Sequence, residues 1–172
     1  MQETEAERIA AFQRLADHRL DASYALATAI LRNDDEAQDA VHDAVILAWK
    51  RWTSLRDRTK FDAWFDRIVV NVCRDRLKAA RVRAATDIEY AATATPDTTS
   101  AVDQQIVVGQ ALDRLKPDDI VVLTLRHFLD LQPDDIALLL DVPVPTAKTR
   151  LRTARERLRR KLERDGTDGV TR

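Results

Sequence analysis

PDDIALLLDVPVPTAKTRLRTARERLRRKLER, residues 133–164, decides the fold. Pro133 suits the first position of a helix, and Asp134 and Asp135 complement the positive end of its dipole. Ile136, Ala137, Leu139 and Leu140 give this short helix an apolar face. The helix then breaks: Asp141 tolerates the left-handed conformation of a tight turn, and Pro143 and Pro145 forbid continuation until a new start near Pro145 or Thr146. Beyond that point Ala147, Leu151, Ala154, Leu158 and Leu162 recur at steps of four, three, four and four, one apolar stripe down a long helix. The rest of that helix is a comb of charge, with nine basic residues between Thr146 and Arg164 against Glu156 and Glu163.

A short helix, a tight turn and a long basic helix make the pattern of a helix-turn-helix, whose second helix enters the DNA major groove. An Arg-rich amphipathic helix in solvent would carry the same charge. The turn chemistry between Leu140 and Thr146 is what favours the DNA-binding motif.

Working outward, 45% hydrophobic residues, only three glycines in 172 residues and long segments of 3.6-residue period predict an all-α protein. The net charge of −1 conceals strong segregation. Residues 1–50 hold five basic and ten acidic groups, 51–83 ten and four, 84–141 three and eleven, and 142–172 ten and four. Two separated basic blocks, each beside an acidic one, predict two nucleic-acid contacts held apart by surfaces that face something else.

Along the chain, residues 5–31 carry apolar positions at helical spacing, as one helix or as two with Asp21 or Ser23 capping the second. A turn at residues 32–35 leads into a helix over about residues 36–52. Its inward stripe is Ala37, Val41, Ala44, Val45, Ala48 and Trp52. Asp39, His42, Asp43, Ile46 and Lys50 lie on another side, an acidic strip with one apolar residue set in it. Such a strip suits a docking protein, and equally suits an ordinary solvated face.

Residues 53–60 read as a basic loop, and residues 61–80 as a helix buried through Phe61, Trp64, Phe65, Ile68, Val69, Val72 and Leu77. Arg67, Asn71, Arg74 and Lys78, at steps of four, three and four, form a basic ridge on its opposite side. With the loop and Trp52, this ridge suits single-stranded or distorted DNA. Residues 84–105 are Ala-, Thr- and Asp-rich and read as a flexible acidic linker. Two helices then brace the helix-turn-helix, the first through Ile106, Val107, Ala111, Leu112 and Leu115, the second starting at Pro117. The organisation expected is two small helical domains, residues 1–83 and 106–165, with a tail at 166–172 that frays.

Catalysis finds no support. His18, His42 and His127 are scattered without metal-ligand spacing, no Gly-rich phosphate loop is present, and Cys73 is the single cysteine. No metal or cofactor is implied. The acidic start is unlike a signal peptide and no segment approaches a membrane-spanning run, so a cytoplasmic protein without membrane insertion is expected.

Two blocks carry a resemblance. DDEAQDAVHDAVILAWKRW and FDAWFDRIVVNVCRDRLKAARVR resemble the core-polymerase-binding and minus-ten-reading helices of the extracytoplasmic-function (ECF) sigma factors of bacterial RNA polymerase. ALDRLKPDDIVVLTLRHFLDLQPDDIALLLDVPVPTAKTRLRTARERLRRKL resembles the minus-thirty-five-reading domain of the same family. His42 stands where the family usually has Gln, Asp141 replaces the usual turn Gly, and Pro145 replaces the Gly opening the recognition helix.

The resemblance implies a specificity subunit with core RNA polymerase and promoter DNA as partners, and an anti-sigma factor as a family expectation. It implies that Asp39, His42, Asp43 and Ile46 face the polymerase. Lys60, Phe61, Arg67, Asn71, Arg74 and Lys78 would act at the minus-ten element, where an unstacked base is captured. Lys148, Thr149, Arg150, Arg152 and Thr153 would read the minus-thirty-five element, with Arg155, Arg157 and Arg159 turned to phosphate or solvent. A dimeric helix-turn-helix repressor that uses only the C-terminal motif is the rival reading.

Overall fold

The structure is a computed structural model and describes residues 4–87, 109, 111–112 and 114–168. Every regular element among them is helical. The chain divides into two compact units, Met1–Leu77 with Leu139–Asp141, and Lys78–Leu138 with Val142–Arg172.

In the first unit, α1 spans Glu5–Leu31 as one continuous helix. Thr4 and Glu7 form a reciprocal capping box at its start: the Thr4 hydroxyl accepts from the Glu7 amide and the Glu7 carboxylate accepts from the Thr4 amide. Of the two alternatives for this segment, the unbroken one holds. Ser23 is fully buried within the helix instead of capping a second one. Arg32 closes α1 in the left-handed conformation at φ 55°. Asn33 then caps α2, Asp34–Lys50, by accepting from the Glu36 amide, and Asp34, Asp35 and Glu36 fill its first turn where the dipole favours anions.

α2 buries Ala37, Ala40, Val41, Ala44 and Ala48, small residues that let α1 and α2 approach closely. Two 3-10 turns, Trp52–Ser54 and Arg58–Lys60, follow where a loop is expected, and α3 runs Phe61–Asp87, past the expected end at Ala80. The core beneath is aromatic. Phe12 meets Trp49 and Trp52 edge to face with centroids 5.2 Å apart, and Phe61 stacks on Phe65 at 5.4 Å. Arg19 of α1 clasps the largely buried Asp66 of α3 through two hydrogen bonds, which satisfies both carboxylate oxygens.

In the second unit, Gly109, Ala111 and Leu112 are helical, Ala111 and Leu115 are buried, and the Leu115 amide closes a turn on the Leu112 carbonyl. Pro117 opens α4, Pro117–His127, with Lys116 as its extended N-cap. α5 is Pro133–Leu140 and α6 is Val144–Asp168. Asp141 adopts φ 55° between them and the Val142 amide bonds back to the Ala137 carbonyl, the left-handed helix end read from the sequence. α6 starts at Val144, one residue before the expected boundary. α4 and α6 pack together, with Val121, Val122, Leu125, Ile136, Ala147 and Ala154 almost completely buried.

Most of the expected linker at 84–105, together with Ile106, Val107 and the end of the tail, lies outside the described residues. No helix among the described residues is long and apolar enough to cross a membrane.

Candidate nucleic-acid interface

α6 sorts its basic residues by helical phase. Ala147, Leu151 and Ala154 face the core, which turns Lys148, Arg152, Arg155 and Arg159, at steps of four, three and four, to one side. With Pro133, Leu151 and Glu156 they line a groove of about 440 Å³. All four are exposed, and three are held in loose ion pairs: Lys148 Nζ lies 3.8 Å from Asp134, Arg152 3.3 Å from Glu156 and Arg159 3.6 Å from Glu163. Solvated pairs of this kind are worth about 0–1 kcal/mol, little enough for a phosphate to displace them. Thr149 is also exposed, while Arg150 and Thr153 are half-buried at the edge of this face.

Arg157 does something else. Its Nη1 reaches both oxygens of Asp119, at 3.0 and 2.8 Å, and the Asp119 side chain is only 7% exposed. The expectation that Arg157 turns to phosphate or solvent is therefore corrected: it ties α6 to the first turn of α4. A buried carboxylate requires a cation, and the helical phase of position 157 supplies one.

Along α3, Arg67, Asn71 and Arg74 are half-buried and Lys78 is exposed. The Arg74 Nε is buried without a hydrogen-bond acceptor among the described residues. Lys60 is exposed at the lip of the second 3-10 turn, 3.8 Å from Asp57. The Thr59 hydroxyl and amide both donate to Asp57 and hold its carboxyl below the usual range, which fixes the turn.

Two aromatic rings beside this ridge are buried, Trp52 as the inward stripe at 37–52 predicts and Phe61 as the buried face of α3 predicts. Trp52 is 1% exposed, with the Arg58 guanidinium 3.8 Å over its ring. Phe61 is also 1% exposed, enclosed by Phe12, Trp52, Trp64 and Phe65. Neither ring offers an open face in this conformation. Both support the loop from beneath, and Trp64, expected in the core, is half-buried.

On α2, Asp39, His42, Asp43 and Ile46 are all exposed along one strip, Ile46 by 49%. Sequence reasoning missed their neighbour: Arg76 of α3 donates to Glu36 and Asp43 of this helix at 2.8 and 2.6 Å. Those hydrogen bonds hold the Arg76 guanidinium above its usual pKa, Asp43 having the larger effect.

The family model for sigma-70 region 2 matches residues 15–83 and that for sigma-70 region 4 matches residues 105–158. The ECF RNA polymerase sigma factor SigM of Mycobacterium tuberculosis is 32% identical over 152 residues, covering 88% of this chain and 77% of the relative. The chain belongs to the ECF sigma factors.

Another ECF sigma factor, SigW of Bacillus subtilis, is 28% identical over 166 residues, covering 88% of this chain and 89% of its own. Two solved structures share the fold at a TM-score of 0.60 and 23% identity: the sigma factor RpoE with the anti-sigma factor NepR from Bartonella quintana, and CnrH with the cytosolic domain of CnrY. They cover 94% of this chain and 98% and 99% of their own. As an ECF sigma factor the protein is a transcription regulator, and the dimeric repressor reading is not favoured by these matches.

Proposed function

We propose that this chain is a dissociable, cytoplasmic specificity subunit that binds core RNA polymerase and contacts two promoter elements at once. The observation that carries this is a pair of basic helical surfaces on two different helices: the α3 ridge with Lys60, and the α6 face lined by Lys148, Arg152, Arg155 and Arg159. A single duplex contact would need only the second.

Residues 1–83 act as the polymerase-binding and minus-ten domain, residues 84–105 as the tether, and residues 106–165 as the minus-thirty-five domain. Asp39, His42, Asp43 and Ile46 meet the polymerase, an exposed apolar residue among charges that suits an interface with a polar rim. Lys60, Arg67, Asn71, Arg74 and Lys78 hold the displaced strand, and Phe61 contributes by shaping the loop from the core. Lys148, Thr149, Arg150, Arg152 and Thr153 enter the major groove, and Arg155 and Arg159 follow the phosphates. An anti-sigma protein, as accompanies the sigma factor RpoE in its structure, is the regulatory partner proposed.

In vitro transcription with purified core polymerase over a genomic fragment library tests this. Specific starts that share two upstream elements are expected. Core polymerase that initiates no differently with and without the chain would refute it.

A further inference from the structure

Glu36, Asp39 and Asp43 follow one another on α2 at steps of three and four, so three like charges share one strip and repel. α3 crosses this strip with one cation. The Arg76 guanidinium gives Nη1 to Glu36 at 2.8 Å and Nη2 to Asp43 at 2.6 Å, and Nη1 stands 3.9 Å from Asp39, within charge range but beyond a hydrogen bond. Its own side chain is 26% exposed, whereas Asp39 and Asp43 are 73% and 53% exposed. The cation is thus set back in the fold and the carboxylates stand out from it. Each donor contact uses a single carboxylate oxygen, Oε2 of Glu36 and Oδ2 of Asp43.

We propose that Arg76 is a positioning residue for polymerase docking: its planar fork fixes the side chains of Asp43 and Glu36, steadies Asp39, and presents the strip in the orientation a basic partner surface meets. The inference rests on the reading of α2 as the docking strip. A fork can span two carboxylates seven residues apart, whereas a lysine ammonium is a point charge on a flexible stem that cannot hold both. Charge and order therefore separate by substitution. Arg76→Lys keeps the charge and loses the fork. Arg76→Met keeps an apolar stem but leaves the strip one unit more negative, which strengthens long-range attraction to a basic partner.

The test is association and dissociation of the full-length chain on immobilised core RNA polymerase, with Arg76→Lys, Arg76→Met, Asp39→Asn and Asp43→Asn, at low and high salt. Arg76→Lys should associate at the wild-type rate and dissociate about threefold faster or more. Arg76→Met should associate faster at low salt only, and also dissociate faster. A residue with a purely structural role would lower the melting temperature and the folded fraction, and leave both rate constants of the folded molecules unchanged.

Wild-type dissociation by both Arg76 variants, alongside faster dissociation by Asp39→Asn and Asp43→Asn, would overturn the positioning role alone. Wild-type kinetics in all four variants would overturn the docking strip and the positioning role with it.

Discussion

Arg157→Ala is expected to destabilise the second unit by about 2 kcal/mol while removing no DNA contact. Breaking a buried ion pair from one side costs about 3–5 kcal/mol, because the remaining charge stays desolvated and unpaired. Here the stranded group is Asp119, whose side chain is 7% exposed and which loses both of its contacts with Arg157 Nη1. Two features reduce the penalty. The Arg157 side chain is 39% exposed, so water enters the space it leaves, and Asp119 sits in the first turn of α4, where the dipole favours an anion by about 0.3–1 kcal/mol. For a unit of this size, about 2 kcal/mol corresponds to a fall in Tm of roughly 8–16 °C.

Thermal unfolding followed by circular dichroism measures this, with Arg155→Ala as the control two positions away. Arg155 is exposed in the α6 groove and should leave the Tm within about 4 °C, since surface substitutions stay near ±0.5 kcal/mol. Asp119→Asn should fall between the two, because an amide oxygen still accepts from Arg157. An Arg157→Ala protein that melts with the wild type would refute the reasoning that the pair anchors α6.

Arg155→Ala and Arg159→Ala should each weaken binding of the polymerase-bound chain to DNA carrying the minus-thirty-five element and reduce the slope of log affinity against log salt by about 0.9, read from a titration between 50 and 200 mM salt. Asp141→Gly should raise the Tm by a few degrees at most, since glycine relieves the left-handed strain at φ 55° but adds freedom to the unfolded chain, a net gain of about 0.5 kcal/mol. Burial pushes the Cys73 thiol up to about 12. The folded state therefore holds its proton where the unfolded thiol has lost it, so this contribution is complete below about pH 9 and disappears as the pH rises toward 12. Cys73→Ala should flatten that alkaline part of the stability profile measured by urea unfolding.

The helices were legible wherever one local rule decided them. Pro133, Asp141 and Pro143 marked both sides of the turn, and the stripe of Ala147, Leu151 and Ala154 fixed which face of α6 is buried. The segment at 5–31 stayed open because Asp21 and Ser23 can cap, and only the burial of Ser23 within the helix closes the choice. Arg76 and Arg157 were not legible as anchors. Their partners lie 33 to 40 residues away on other helices, and nothing in helical phase separates an arginine facing phosphate from one facing a carboxylate across a packing interface. Trp52 and Phe61 were legible as buried residues from their helical phase, whereas the Arg58 guanidinium over the Trp52 ring was not.

The central claim is that two basic surfaces engage one promoter only in the company of polymerase. Footprinting one promoter fragment with the chain alone, with core polymerase alone and with both, combined with permanganate detection of unpaired thymines, tests it directly. Two separate protected patches upstream of the start, with unpaired bases at the nearer one, should appear only when both proteins are present. A symmetric footprint formed by the chain alone and unchanged by polymerase would contradict the account.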